Sequence, residues 1–142
     1  MGEIPIIEAR KIVAGTLTSG RERRLKPLTV AILDTGGHVK AVEREDGASP
    51  GRFAIAMGKA YGCLMLGIGG QAMMARAEQQ HYFVSAMNGL FGGRVVPVPG
   101  GVLVRDRNGD IVGAVGVSGD LSENDAAAAV EGIESAGFSA EP

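Results

Sequence analysis

Gly100-Gly101-Val102-Leu103-Val104-Arg105-Asp106-Arg107-Asn108-Gly109-Asp110-Ile111-Val112-Gly113-Ala114-Val115-Gly116-Val117-Ser118-Gly119 is the stretch that sets the fold. Two runs rich in β-branched residues flank Asn108-Gly109. Asn-Gly between apolar runs signals a hairpin, because the turns that match strand twist need positive φ at their central residues. The connection from Asp106 to Asp110 leaves room for a bulged or longer turn as well as a tight one. The second run ends at Ser118-Gly119, and a helix start follows, with Ser122 as N-cap and Asp125 in capping-box position.

Outward from this unit, residues 5–25 read as a helix with Pro5 at its first position and Ile6, Ala9, Val13 and Leu17 on one face. Its basic end (Arg21, Arg23, Arg24, Lys26) suits the helix dipole and reads as a solvated terminus rather than a binding patch. Leu28–Leu33 and Val39–Arg44 form a second hairpin around Asp34-Thr35-Gly36-Gly37. Arg52–Leu66 is a helix with almost no polar face, the mark of burial by its own domain or by a neighbouring subunit. Lys59 sits in its middle and must snorkel, pair with a carboxylate such as Asp46 or Glu45, or meet a ligand. Gln71–Gln80 reads as a short helix, and His81–Phe91 fits no single pattern. Pro97 and Pro99 make Arg94–Val98 an edge strand. A last helix over Ser122–Ala136 turns Ala126, Ala129, Val130 and Ile133 inward, and Phe138–Pro142 reads as a loose tail. Five strands with helices before, between and after them predict an α/β/α sandwich or a two-layer α+β domain.

The 142 residues fit one domain spanning 1–142. A net charge of −2 argues against a general nucleic-acid or anionic-membrane surface, so neither partner is expected. One cysteine, Cys63, rules out an internal disulfide framework and fits a reducing compartment. No signal peptide is visible after Met1, so a cytoplasmic location is expected. The 23 glycines are about twice the usual share. With aromatics at 4% and no Trp, the core must be small and aliphatic, which lets helices approach a sheet closely.

Four blocks resemble the GlcG/HbpS-type proteins, the haem-degrading-domain family that includes the C-terminal domain of PduO. Asp34-Thr35-Gly36-Gly37-His38-Val39 is similar to the family's first hairpin turn, and Arg44-Glu45-Asp46-Gly47-Ala48 to its R-x-D-G-A block. Ala56 and Lys59-Ala60 resemble the helix-two block. Gly100-Gly101, the run from Asn108 to Gly119, and Asp125 resemble the C-terminal signature. The resemblance implies a profilin-like α+β fold: a five-stranded antiparallel sheet with helices on both faces. It also implies homo-oligomers, and haem or a link to corrinoid metabolism in some members. Two positions depart from the pattern: Leu103 stands where the family often has Pro, and helix one lacks the histidine to which haem ligation in the PduO-type domain is attributed.

The chemistry-bearing residues are few. Haem needs an axial His, Cys, Met or Tyr and an apolar slot. His38 follows a Gly-Gly turn, where a histidine is usually solvated, and is a ligand-binding candidate; His81, before Tyr82-Phe83 in a setting with some apolar contact, is the candidate metal ligand. Ser118-Gly119 offers helix-start amides to a carboxylate or phosphate, unless Asp120, Glu123 and Asp125 already satisfy that terminus. Gly100-Gly101 is either a close-approach segment around a ligand or the turn into a strand. Arg44, Asp46 and Lys59 are the candidate catalytic group, able to orient an acidic substrate if they converge, and scaffolding if they pair only with each other. Cys63, mid-helix, reads as core, and Gly67–Gly70 lacks the Lys-Ser/Thr of a phosphate loop. The expected function is a small-ligand-binding oligomer, with haem or a related tetrapyrrole as the ligand the resemblance implies. The alternatives are a catabolic isomerase, lyase or hydrolase acting on a small acid, and an assembly partner without ligand.

Overall fold

A computed structural model describes residues 2–142. The elements are α1 (Ile6–Glu22), β1 (Thr29–Leu33), β2 (Val39–Arg44), α2 (Gly51–Leu66), α3 (Gly70–Gln79), α4 (His81–Leu90), β3 (Gly101–Arg105), β4 (Ile111–Ser118), α5 (Ser122–Ser135) and β5 (Ser139–Glu141). The strands form one antiparallel sheet in the order β2-β1-β4-β3-β5. Helices α1 and α5 pack on one face and α2 on the other, so the α+β sandwich with helices on both faces is the fold observed. Strands covered on both sides carry apolar side chains in both directions, and β1 and most of β3 and β4 are buried along their length.

Both hairpins turn on an aspartate. Asp106 Oδ1 accepts from Asn108 N at 2.9 Å and Asp110 N at 3.0 Å; Asp34 Oδ1 accepts from Gly36 N and His38 N, both at 3.0 Å. These side-chain bonds add to the backbone bonds from Asp34 N to His38 O and from Asp106 N to Asp110 O, both at 2.9 Å, that close each turn.

The register arranges three rows across the face beneath α2. Leu33, Ala114 and Leu103 form an apolar row. Ala31, Gly116 and Gly101 form a row of minimal side chains. Arg44, Thr29 and Ser118 form a polar row near the start of α2. The middle row lets α2 sit unusually low: a Cβ on Gly116 would collide with the Ala56 carbonyl oxygen, and one on Gly101 with the Lys59 carbonyl oxygen and the Cys63 sulfur. Gly100, just before β3, has φ +108°, a conformation that side chains disfavour, and a Cβ there would meet Lys59 Nζ and the Val117 carbonyl oxygen at 2.8 Å.

Several expectations are corrected. Arg94–Val98 is not a strand. It runs as an irregular segment along α2, joined by the Val96 N to Gly58 O bond at 3.2 Å. The fifth strand is instead the tail, whose residues Ser139–Glu141 pair with β3 and place Glu141 Oε1 2.8 Å from Arg105 Nε. His81–Leu90 is helical. Ile6 is 42% exposed; Ala9, Ile12, Val13 and Thr16 form the inner face of α1. Ser122 lies inside α5 rather than capping it. Asp120 Oδ1 accepts from Leu121 N and Asn124 Nδ2, both at 2.8 Å, and Asp125 Oδ1 accepts from Asp120 N at 3.0 Å.

Those bonds hold the Asp120 carboxyl down to about 2, the Asn124 amide contributing most and the Lys26 and Leu121 amides next. A depressed folded pKa means that Asp120 stabilises the α5 start above the ordinary aspartate range and loses that effect as pH falls through its folded value. Urea midpoints compared at about pH 5 and about pH 2 should therefore differ less in Asp120→Asn than in the parent chain.

Candidate functional site

Helix α2, β4 and the start of α5 together create a buried charge cluster. Lys59 Nζ donates to Val117 O at 2.9 Å and to Asp125 Oδ2 at 3.2 Å, and the two side chains are 3% and 1% exposed. Burial pulls the Lys59 pKa below its ordinary value; the Asp125 carboxylate opposes this and the Arg52 charge adds to it. Burial likewise raises the Asp125 pKa, against the pull of Lys59. One turn before Ala56, Arg52 Nη1 donates to the buried Ser118 Oγ at 3.2 Å.

This corrects the expected partner of Lys59. Glu45 accepts from Arg21 and, at 2.8 Å, from Leu28 N, and Asp46 is exposed. Arg44 donates to Ala48 O at 2.7 Å. Arg44 and Asp46 border an open cavity of about 450 Å³ with Arg21 and Glu45, and Lys59 is not among its lining residues. The three candidate catalytic residues therefore do not line one cavity. Gly100 and Gly101 meet α2 rather than open space, and Gly119 packs against Pro27 and Leu28. Asp120 and Asp125 occupy the α5 terminus that Ser118-Gly119 offered. His38 is 82% exposed, with Nδ1 3.5 Å from Asp34 Oδ1. His81 is exposed at the start of α4, edge-on to Tyr82. Cys63 is buried, which pushes its thiol up to about 12.

The largely apolar concavity lies on the outer side of α2. A groove of about 300 Å³ is walled by Phe53, Met57 and Tyr61 on the helix, by Val96 opposite, and by Gly37 from the first hairpin turn. Arg94 lines it as well, from the segment after α4. Its guanidinium carbon stands 4.1 Å above the Tyr61 ring and Nη2 donates to Tyr61 Oη at 2.7 Å. Phe91 meets the same ring edge-on at 6.4 Å. A cation stacked on an aromatic face and held at a mainly apolar rim is pre-set to meet an anionic group on an apolar ligand. Sequence reasoning missed these residues. The only signal was one arginine between a Gly-Gly pair and an apolar run in Phe91-Gly92-Gly93-Arg94-Val95-Val96. Among the described residues no three His, Cys, Asp or Glu side chains come together as a metal-ion cage, and no single helix is long and apolar enough to cross a membrane.

Two helical layers around this sheet, with a groove on the outer side of α2, define a small α+β domain. The pattern of the HbpS-like family, described as haem degrading protein HbpS-like, matches residues 4–134, and the chain belongs to that family. No curated protein matches it. Among solved structures it is similar to PduOC in complex with haem, with 18% identity over 99% of each chain and a TM-score of 0.86. It is also similar to the Klebsiella pneumoniae protein ORFY, with 22% identity over 96% of this chain and 92% of that one and a TM-score of 0.85. A double mutant of Streptomyces reticuli HbpS gives 21% identity, 94% and 87% coverage and a TM-score of 0.80. At such identities the likeness is one of fold.

Proposed function

We propose that this protein is a small-ligand-binding member of the HbpS-like family, and that its groove on α2 takes a flat apolar molecule bearing a carboxylate, haem or a related tetrapyrrole. The observation that carries this reading is the Arg94–Tyr61 stack at the rim of a groove walled by Phe53, Met57 and Val96. The residues fit the ligand class. The apolar walls match one edge of a macrocycle, and Arg94 matches a carboxylate. Met57 and Tyr61 stand in the groove wall, so a thioether and a phenol would be the side chains available to hold an iron centre; His38 follows Gly37 but is not among the lining residues. Haem, when bound, supplies an iron centre open to ligand exchange and electron transfer; the chain's part is to hold the ring and exclude water from one side. His81, exposed on α4, does not line the groove.

Haemin titration followed at the Soret band tests this. Saturable binding is expected in the parent chain, roughly tenfold weaker in Arg94→Ala, and lost in Ala54→Trp, which fills the groove from an exposed position on its wall. Unchanged binding in Ala54→Trp removes the groove from consideration.

A second copy of this chain is the partner we infer for α4. That helix is ten residues long and mostly apolar, yet Val84 is its one buried residue, while Tyr82 and Leu90 are 64% and 70% exposed. An apolar helix left on a surface is stabilised by association. Sedimentation of Leu90→Glu is expected to show a smaller species than the parent chain.

A further inference from the structure

At the N-terminal end of α2, outside the groove, a cavity of about 200 Å³ opens between Lys26, Ser49, Arg52 and Gly119. No acidic residue lines it. Among the described residues, no carboxylate lies within 4.0 Å of the charged groups of Lys26, Arg44 or Arg52. Arg52 is half-buried and reaches a neutral hydroxyl, and Arg44 reaches the carbonyl of Ala48, itself a wall of this cavity. The nearby acids already have partners. Asp120 accepts from Lys26 N, Leu121 N and Asn124 Nδ2; Asp125 is paired with Lys59; Glu45 is paired with Arg21; and exposed Asp46 borders the neighbouring cavity. Half-burying a guanidinium without a counter-charge is unfavourable unless an anion completes the site.

One further feature points the same way. Helix α2, 16 residues long, begins with no side-chain cap and no acid in its first turn, so its positive end is unopposed.

The geometry points to an oxyanion site at this cavity, in which Arg52 and Lys26, helped by the Ser49 hydroxyl and the start of α2, hold the carboxylate or phosphate of a small molecule. It is separate from the proposed groove site and does not depend on it.

Thermal unfolding of the full chain with inorganic phosphate, with malonate, and with chloride at matched ionic strength tests the inference. At least one of the two oxyanions is expected to raise the Tm saturably above the chloride reference, and the one that does names the chemistry. Lys26→Gln and Arg52→Gln are each expected to weaken that response by roughly tenfold. Circular dichroism reports whether Arg52→Gln keeps its fold. If it does not, Lys26→Gln, a change at an exposed position, decides alone. No rise over chloride with either oxyanion overturns the site, and so does a response that every folded variant retains in full.

Discussion

Lys59→Met alone is expected to cost about 3–5 kcal/mol of folding stability, and Lys59→Met with Asp125→Asn is expected to recover most of it. The single change leaves the Asp125 carboxylate 1% exposed without its cation, and strands the Val117 carbonyl that Lys59 also satisfies. The second change removes that charge while an amide oxygen still accepts from Asp120 N. Burial shifts both groups toward their neutral forms, Lys59 downward and Asp125 upward, so the pair itself is no large source of stability. What it contributes is specificity: it fixes α2 against the β4–α5 corner. Urea unfolding of the two singles and the double gives the coupling directly, and additive losses would show that the pair does not act as a unit.

Gly116→Ala is expected to be nearly as damaging, at about 3 kcal/mol or more, although it adds one methyl group. That methyl would sit within contact distance of the Ala56 carbonyl oxygen and 3.1 Å from Ala60 Cβ. Neither a sheet strand nor a buried helix backbone moves aside cheaply. Relief comes by lifting α2 from the sheet, which would also disturb the groove on its outer side. Gly51→Ala is the control: nothing lies within 4 Å of the added carbon, and its effect is expected to stay within about 0.5 kcal/mol. Urea midpoints of both variants, with haemin titration of the first, check the two halves of this prediction.

How far the sequence could be read depended on whether the deciding forces were local. Asn108-Gly109 and Asp34-Thr35-Gly36-Gly37 announced their hairpins because a turn's backbone is set by its own residues. The apolar helix over residues 51–66 announced its burial in the same way. The fifth strand was missed because Ser139-Ala140-Glu141 has no strand pattern; it is recruited by the open edge of β3 and held by the Arg105–Glu141 ion pair. Arg94–Val98 looked like an edge strand but runs along α2 instead. The need for a Lys59 partner was legible from its place in an apolar helix, but the partner was not. Asp125 is 66 residues away, and as an acid in a helix's first turn it already had a local explanation. Asp46 and Glu45 were nearer in sequence and wrong, since β2 carries them to a different edge. The Arg94–Tyr61 stack was equally hidden, because it joins an irregular segment to a helix across 33 residues.

Methionine methyl NMR of the chain with substoichiometric haemin locates the ligand outright. With ¹³C-methyl methionine throughout, the paramagnetic iron should broaden Met57, on the groove wall, while Met73, buried on the inner side of α2 against Gly62, stays sharp. Loss of the Met57 signal that Ala54→Trp prevents is the predicted result. A Met57 signal unmoved at saturating haemin, or no haemin binding at all, would contradict it.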